Sequence, residues 1–541
     1  PAGAAFTADG RLTYTNTGQN PEGYWSSELP SGTTTNYDNF TAGTASNDAV
    51  IFNFSPVQGI IDTIQEINQF GSMFALLGAS SIRQIYGSSP DQPPTPTSIN
   101  TQTTVQGCAR VMPVVINWDL LFVDVNQKKL RGLRYNLAFN QYQANDFNLT
   151  SDHLGKSPFV RIVYVKGIPD VVWVLRQDGV LLSFTFNNIE NIAGWARHYV
   201  GSSGVVQDIA SIRNSSGNDE LWLIVQRTLN GVTFMSVEVM SQWPTFPQRR
   251  EFYSGNGNQT QDEANWENAI WEAAKTASFL DASLTYDGTA RGLALGASLT
   301  PSATGPAGTQ ITLTASQPVF QSADEGSQLW KCYSSTGSGG GMATILSVNS
   351  STQVTALVTQ AFDSTSAIAA GSWLFAVNSV NNLHLYDGLT VSVQADGGAH
   401  PAVAVSNGVA TLLPNLFAGK IQFGFNYVGM MITQNLDIGG RQGPANSKPR
   451  NVKRIRARFK DSYGGYLGSS EYNLTFNLQE IIFRQANQIM NRVPPPFSGV
   501  QDLPNLDDWD ESVKQVVIIQ TDPTPCTVLG LDVEMRTNDP P

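Results

Sequence analysis

Between residues 70 and 240 one pattern recurs four times, and it constrains the fold more than any other feature of the sequence. Each copy is an apolar run, a polar turn, and a second strand in which apolar and polar residues alternate. The copies run from Met73-Phe74-Ala75-Leu76-Leu77 to Ile85-Tyr86 and from Asp119-Leu120-Leu121-Phe122-Val123 to Leu133-Arg134-Tyr135. They continue from Asp170-Val171-Val172-Trp173-Val174 to Phe184-Thr185-Phe186, and from Glu220-Leu221-Trp222-Leu223-Ile224-Val225 to Val237-Glu238-Val239. Successive copies lie roughly fifty residues apart, a period that belongs to propellers and solenoids. The turns are hairpin chemistry, Asp178-Gly179 in the third copy and Asn230-Gly231 in the fourth. A strand pair with linking strands is what a propeller blade needs.

The rest of the chain points to the same class. Its 541 residues exceed what one core serves. With 48 glycines and only 14% charged residues, the composition favours short strands and tight turns over long helices. The expected fold is mainly β: a propeller-like repeat domain with an inserted small β-sandwich or barrel and a C-terminal β-domain. The divisions fall at 1–70 (a strand and loop segment without a clear period), 71–250 (propeller-like β-repeats), 251–289 (a helical connector), 290–422 (the inserted sandwich or barrel) and 423–541 (the C-terminal β-domain). The connector's helix is expected from Glu263 to Ala277, packing Trp266 and Trp271 on a sheet, with Glu267, Glu272 and Lys275 in solvent. Within the insert, Gln310-Ile311-Thr312-Leu313-Thr314 and Leu389-Thr390-Val391-Ser392-Val393 alternate as strands do, and Ser334 to Gly341 reads as a mobile Gly/Ser loop.

A net charge of −12 argues against a general nucleic-acid binder, though not against a conduit that lets DNA pass without holding it. One strand departs from this balance. From Asn451 to Lys460, Ile455, Ala457 and Phe459 share one face while Arg454, Arg456, Arg458 and Lys460 share the other. In a symmetric assembly these four could line a channel and face phosphates, or form an intersubunit face that pairs with acidic loops of a neighbour. The second reading is favoured, because a strongly positive bore would retain DNA.

Signals for chemistry are weak. The four histidines, His153, His198, His384 and His400, have no second ligand at metal spacing, and His153 and His198 read as structural hydrogen-bonders. Cys108, Cys332 and Cys526 are far apart and read as small buried hydrophobes in a reducing compartment. No catalytic motif stands out, and the glycine run ending at Gly341 lacks the lysine of a phosphate cradle. The acidic stretch Asp502, Asp507, Asp508, Asp510 and Glu511 reads as a solvated surface or a cation site rather than a glycosidase pair. There is no apolar run of about 18 residues, and no signal-peptide pattern follows Pro1. The expectation is a protein that is not an enzyme, with no catalytic residues, cofactor or metal.

The second to fourth copies resemble the tail nozzle (tail tubular or hub) proteins of short-tailed bacteriophages, the podoviruses, and related prophages. The resemblance rests on Leu120-Leu121-Phe122-Val123 with Lys129-Leu130-Arg131 and Tyr135; on Tyr142, Asn145-Asp146-Phe147-Asn148-Leu149-Thr150 and His153-Leu154; on Val172-Trp173-Val174-Leu175-Arg176 with Asp178-Gly179; on Gly194-Trp195-Ala196-Arg197-His198; and on Asp219-Glu220-Leu221-Trp222 with Val225 and Arg227. Phe279-Leu280-Asp281, Tyr286-Asp287-Gly288, and later Phe320, Asp324, Gly326, Trp373, His384-Leu385, Gly388 and Ala395-Asp396-Gly397 continue the series. The chain departs from the family at Gly132, where an acidic residue is expected, and in a short N-terminal part. The resemblance implies a virion protein at the tail tip, made in the host cytoplasm and closed into a hexameric ring. It would be a gated conduit for genome ejection and a platform for fibres. Its partners would be the tail adaptor, the tail fibre proteins, viral DNA in non-specific passage, and the host cell surface. A virion-bound glycan-binding adhesin or a depolymerase is the alternative. In the motifs, Trp173, Trp195 and Trp222 are read as apolar anchors, and Asp146 and Arg227 as residues that pair between blades.

Overall fold

The computed structural model describes residues 3–6, 10–31, 36–54, 59, 61–70, 73–89, 92–167, 170–187, 190, 192–253, 259–332, 340–436, 439–440, 443–444, 448–470, 476–484, 493–504, 509 and 514–537. The chain divides into two compact units, residues 1–228 with 233–242, and residues 229–232 with 243–541. Much of the Gly/Ser loop and the acidic stretch from Asp507 to Glu511 lie outside the described residues. Mainly β is the class observed, with antiparallel sheets throughout.

The first unit is propeller-like. Its sheets follow one another along the chain, each a simple meander. A four-stranded sheet of Gly3–Phe6, Leu12–Thr15, Gly23–Ser26 and Val50–Asn53 precedes the four repeats seen in the sequence. The second sheet holds Ile64–Phe70, Met73–Gly78, Ile82–Tyr86 and Ile99–Thr104. The third holds Val114–Ile116, Asp119–Val123, Leu130–Asn136 and Gln141–Asp146. The fourth holds Phe159–Val165, Val171–Arg176, Leu181–Asn187 and Ile192–His198. The fifth holds Val205–Arg213, Asp219–Leu229 and Val232–Val239.

Apolar clusters join each sheet to the next, and strand alternation explains how. In Asp119–Val123, Leu120 and Phe122 point back to Ala75, Leu77 and Ile82 of the second sheet. Leu121 and Val123 point forward to Phe159, Val172 and Val174 of the fourth. Val171, Trp173 and Leu175 then face Val206, Ile209, Leu221 and Leu223 of the fifth. A strand covered on both faces must be apolar throughout, which is why these runs do not alternate. Each buried aliphatic side chain is worth about 1.5–3 kcal/mol, so the sheet-to-sheet contacts dominate the stability of this unit.

Details of the repeats follow from local geometry. Asn230 and Gly231 both have positive φ, 50° and 78°, as the favoured two-residue hairpin turn demands. Gly132 is fixed as glycine by sterics. A Cβ there would come 2.4 Å from the Phe147 ring, which packs on Phe184 and Phe186. The expected pairing of Asp146 and Arg227 between blades is corrected. Asp146 takes Lys129 at 2.6 Å, and Arg227 grips Glu238 at 2.7 and 2.8 Å, so each finds its counter-charge within its own repeat.

The second unit carries the helix Gln259–Ala274, which buries Ile270, Trp271 and Ala274. Lys275, expected in solvent, is only 5% exposed; its ammonium pairs with Glu272 at 2.7 Å and lies 3.8 Å from the Trp271 ring centre. Asp281–Asp287 joins Lys420–Phe425, Thr390–Ala395 and Gly398–Ala404 in one sheet. Between these stretches is inserted a six-stranded sheet from Leu299–Pro301 to Trp373–Ala376. Its core gathers Leu299, Leu313, Leu329, Ile345, Val354 and Trp373 into a single cluster. At the C-terminal end, a sheet of Phe497–Pro504, Arg450–Ser462 and Thr527–Thr537 covers one of Gly429–Ile432, Gln515–Gln520, Tyr466–Ser470 and Phe476–Glu480. Among the described residues no helix is long and apolar enough to cross a membrane.

Candidate functional site: a basic sheet face and an aromatic-lined cavity

The long strand Arg450–Ser462 turns Val452, Ile455, Ala457 and Phe459 into the core of the C-terminal sandwich. Its other face carries Arg454, Arg456, Arg458 and Lys460 in a row, with Lys453 brought alongside by a register shift between Val452 and Arg454. The neighbouring strands answer part of this charge. Asp502 lies 3.4 Å from Arg454 and 3.1 Å from Arg456, Glu534 lies 3.6 Å from Lys453, and Asp532 stands opposite Arg456 in the register. Arg458 faces Val500 and Gly530, and Lys460 faces Thr527; neither has an ion pair among the described residues. The face is therefore divided: one end is neutralised within its own sheet, and the Arg458–Lys460 end has no ion pair among the described residues. The paired end adds little stability, because exposed ion pairs are worth about 0–1 kcal/mol each.

The titratable groups singled out in the sequence are scattered. His153 sits exposed in the turn Asp152–Lys156. His198 is packed 4.9 Å from the Trp173 ring, with its Nε2 2.7 Å from the Ser183 hydroxyl. Burial pushes its pKa down to about 4. Cys108 is buried and Cys332 and Cys526 are partly exposed; burial raises the latter two thiols to about 11. Among the described residues no three His, Cys, Asp or Glu side chains stand together as metal ligands.

A second site lies in the second unit, and no sequence pattern announced it. Trp271, Trp330, Met342, Asp396, His400 and Arg484 line a cavity of about 290 Å3. The hairpin between Thr390–Ala395 and Gly398–Ala404 turns at Asp396 and Gly397, both with positive φ, 46° and 86°. Gly397 is held against the C-terminal end of the helix, where a Cβ would come 2.9 Å from the Ala274 carbonyl carbon. Gln422 and Gln394 donate from their side chains to the carbonyls of Lys275 and Ala277, at 2.8 and 2.9 Å, tying the stretch that follows the helix to the sheet.

These contacts fix the walls. The Asp396 carboxylate accepts from the Gly419 and Lys420 amides at 3.0 and 2.9 Å, yet burial still raises its pKa above the ordinary carboxylate value. The Trp330 indole is oriented by its N–H, which donates to Gln328 at 2.8 Å. His400 accepts at Nε2 from the Leu413 amide at 3.1 Å, so its proton is on Nδ1, 2.6 Å from the Pro401 carbonyl. Both ring nitrogens are thereby engaged.

The sequence matches no known family model and no curated protein. Solved structures similar to it include a putative 6-phosphogluconolactonase from Bacteroides fragilis, at 10% identity and a TM-score of 0.25 over 45% of this chain and 72% of that one. An exo-β-1,3-galactanase from Phanerochaete chrysosporium is 9% identical with a TM-score of 0.21, over 89% of this chain and 98% of the other. The WD40 domain of SCAP from fission yeast is 9% identical with a TM-score of 0.23, over 96% and 93%. None of the three is a tail protein. Two bear the names of enzymes, and on that finding the expectation that the chain is not an enzyme is corrected: enzymes stand among the chain's structural neighbours. Likeness at this level assigns neither an activity nor a substrate.

Proposed function

We propose that the chain is a structural subunit of the distal nozzle of a short phage tail, assembled as a closed homo-oligomeric ring. The order and spacing of the repeat motifs support the family, and one observation of the structure supports the assembly. The outward face of the fifth sheet is apolar and uncovered: Ile212, Ile224, Met235, Val237 and Val239 are 48%, 40%, 58%, 69% and 48% exposed. Contiguous apolar surface of this kind marks an interface between proteins. In a head-to-tail ring each subunit gives one such face to its neighbour.

On this reading the ring conducts viral DNA, sits below the tail adaptor and carries fibres outside. Host contact favours its open state, a shift between two populations. The Arg458–Lys460 end of the basic face is then available to an acidic segment of the next subunit. Native mass spectrometry of the purified chain, with negative-stain images of the chain and of tail fractions, tests the proposal. Closed rings, free or on tails, are the expected result; a persistent monomer that is absent from virions overturns it.

A further inference from the structure

One end of the third sheet projects apolar side chains that the nozzle reading leaves without a role. The meander puts two of its turns at that end, Asn117-Trp118 and the turn from Leu137 to Asn140. Leu120 pairs with Leu133, and the same register carried past Asp119 sets Trp118 level with Tyr135. The turn that holds Leu137 and Phe139 reaches beyond both. Trp118 is 79% exposed, Leu137 82% and Phe139 64%.

The tip carries no charge. Neither the stretch from Val111 to Trp118 nor that from Tyr135 to Asn145 contains an Asp, Glu, Lys, Arg or His. The charges next in line, Arg134 and Asp119, lie 3.9 Å apart just behind it. Its main chain is satisfied from within. The Ala138 amide donates to Asn136 Oδ1 at 3.0 Å, and the Phe139 and Asn140 amides donate to the carbonyls of Asn136 and Leu137, both at 3.3 Å. The Asn136 side chain donates to Gln143 at 2.9 Å, and Asn140 Oδ1 accepts from the Tyr135 hydroxyl. A segment that leaves water for hydrocarbon must carry its hydrogen bonds with it, and this one does.

Size separates a lipid from a protein partner. Three side chains of this kind offer on the order of 450 Å2, against about 800 Å2 per partner in a stable protein interface. A bilayer needs no matching surface, and it holds Trp and Tyr at the level of its headgroups. We propose that this tip inserts into the interfacial layer of a phospholipid bilayer. Leu137 and Phe139 enter the acyl boundary, and Trp118 and Tyr135 stay among the headgroups.

The test floats the full chain with phosphatidylcholine vesicles, plain or brominated on the acyl chains. Flotation is expected, with tryptophan emission quenched by the brominated lipid. Leu137→Asp combined with Phe139→Asp should weaken binding tenfold or more, about 1.4 kcal/mol, with thermal melting unchanged. Val237→Lys, which alters the apolar face of the fifth sheet instead, should float as the parent does. If the double variant melts early, Trp118→Ala decides. A chain that stays in the dense fraction overturns the inference, and so does flotation that neither tip variant weakens. A double variant that loses an oligomer and keeps its vesicle binding would make the tip a protein contact and overturn it too. Flotation is read whether or not the chain closes into rings, so the nozzle proposal can fail while this one stands.

Discussion

The strands Val171–Arg176 and Asp219–Leu229 are written in nearly the same way and meet different surroundings. In the fourth sheet, Val171-Val172-Trp173-Val174-Leu175 is buried on both faces, with Val172 and Val174 against the third sheet and Trp173 against the fifth. In the fifth sheet, Leu221, Leu223 and Val225 are buried, while Ile224 is 40% exposed and Trp222 is partly exposed. The strand Asp219–Leu229 thus carries apolar residues on both sides and has a cover on only one. A surface free to be polar would not keep Ile224, Met235 and Val237 exposed on neighbouring strands. On the ring proposal, this uncovered face is the one that a neighbouring subunit covers.

Truncation tests the comparison with the largest expected effect. Trp173→Ala should cost about 3–5 kcal/mol, the usual cost of removing a buried aromatic. Trp222→Ala in the isolated subunit should cost about 1 kcal/mol, the middle of the range for single changes. Urea unfolding of both variants checks this, and equal costs would break the comparison. The pH dependence sharpens it next, because His198 packs on Trp173. Its folded pKa of about 4 lies below its ordinary 6.5, so between these values the unfolded chain binds a proton that the folded one does not. Stability should be full above 6.5 and fall progressively as pH drops toward 4. His198→Gln should flatten that part of a melting-temperature profile; an unchanged profile would place the titration elsewhere.

Glycines give a smaller, local contrast. Gly132→Ala drives a Cβ against Phe147 at the contact between third and fourth sheets and should cost about 1–3 kcal/mol, as overpacking does. Gly194, in the outer strand of the fourth sheet, has nothing within 4 Å of the same position, so Gly194→Ala should be neutral or slightly stabilising. Chemical unfolding of the pair measures the difference, and a neutral Gly132→Ala would mean that the Phe147 ring has room to move.

These same residues show what the sequence made legible. Two-faced burial was readable in Leu120–Val123 and Val171–Leu175 because it forbids alternation, and the basic face was readable because a strand has a period of two. The first sheet was not legible. Its strands are four residues long, and its interior holds Arg11, Thr13, Thr15 and Ser26, all 0% exposed. Arg11 donates to the carbonyls of Ser27, Ser46 and Asp48 at 2.8, 2.7 and 2.6 Å, so burial there is written in hydrogen bonds rather than hydropathy. Lys275 escaped for a related reason, since its cover is an aromatic ring and a carboxylate. The cavity could not be read at all: its walls come from residues 271, 330, 396, 400 and 484, and only the fold brings them together.

The smallest effect on folding carries the most for the assembly. Val237→Lys changes a side chain that is 69% exposed, so it should alter subunit stability by no more than about 0.5 kcal/mol. If the face is an intersubunit contact, the same change places a charge where apolar surfaces must meet, and ring formation should be lost while unfolding of the subunit is unaffected. Val171→Lys in the fourth sheet is the matching control, because it should unfold the subunit outright. Rings that persist in the Val237→Lys variant would show that the apolar face is not the contact, and the comparison between the two strands would then measure only the end of a stack. Loss of rings with an intact subunit would make the uncovered side of Asp219–Leu229 the counterpart, between molecules, of what the fifth sheet gives Val171–Arg176 within one.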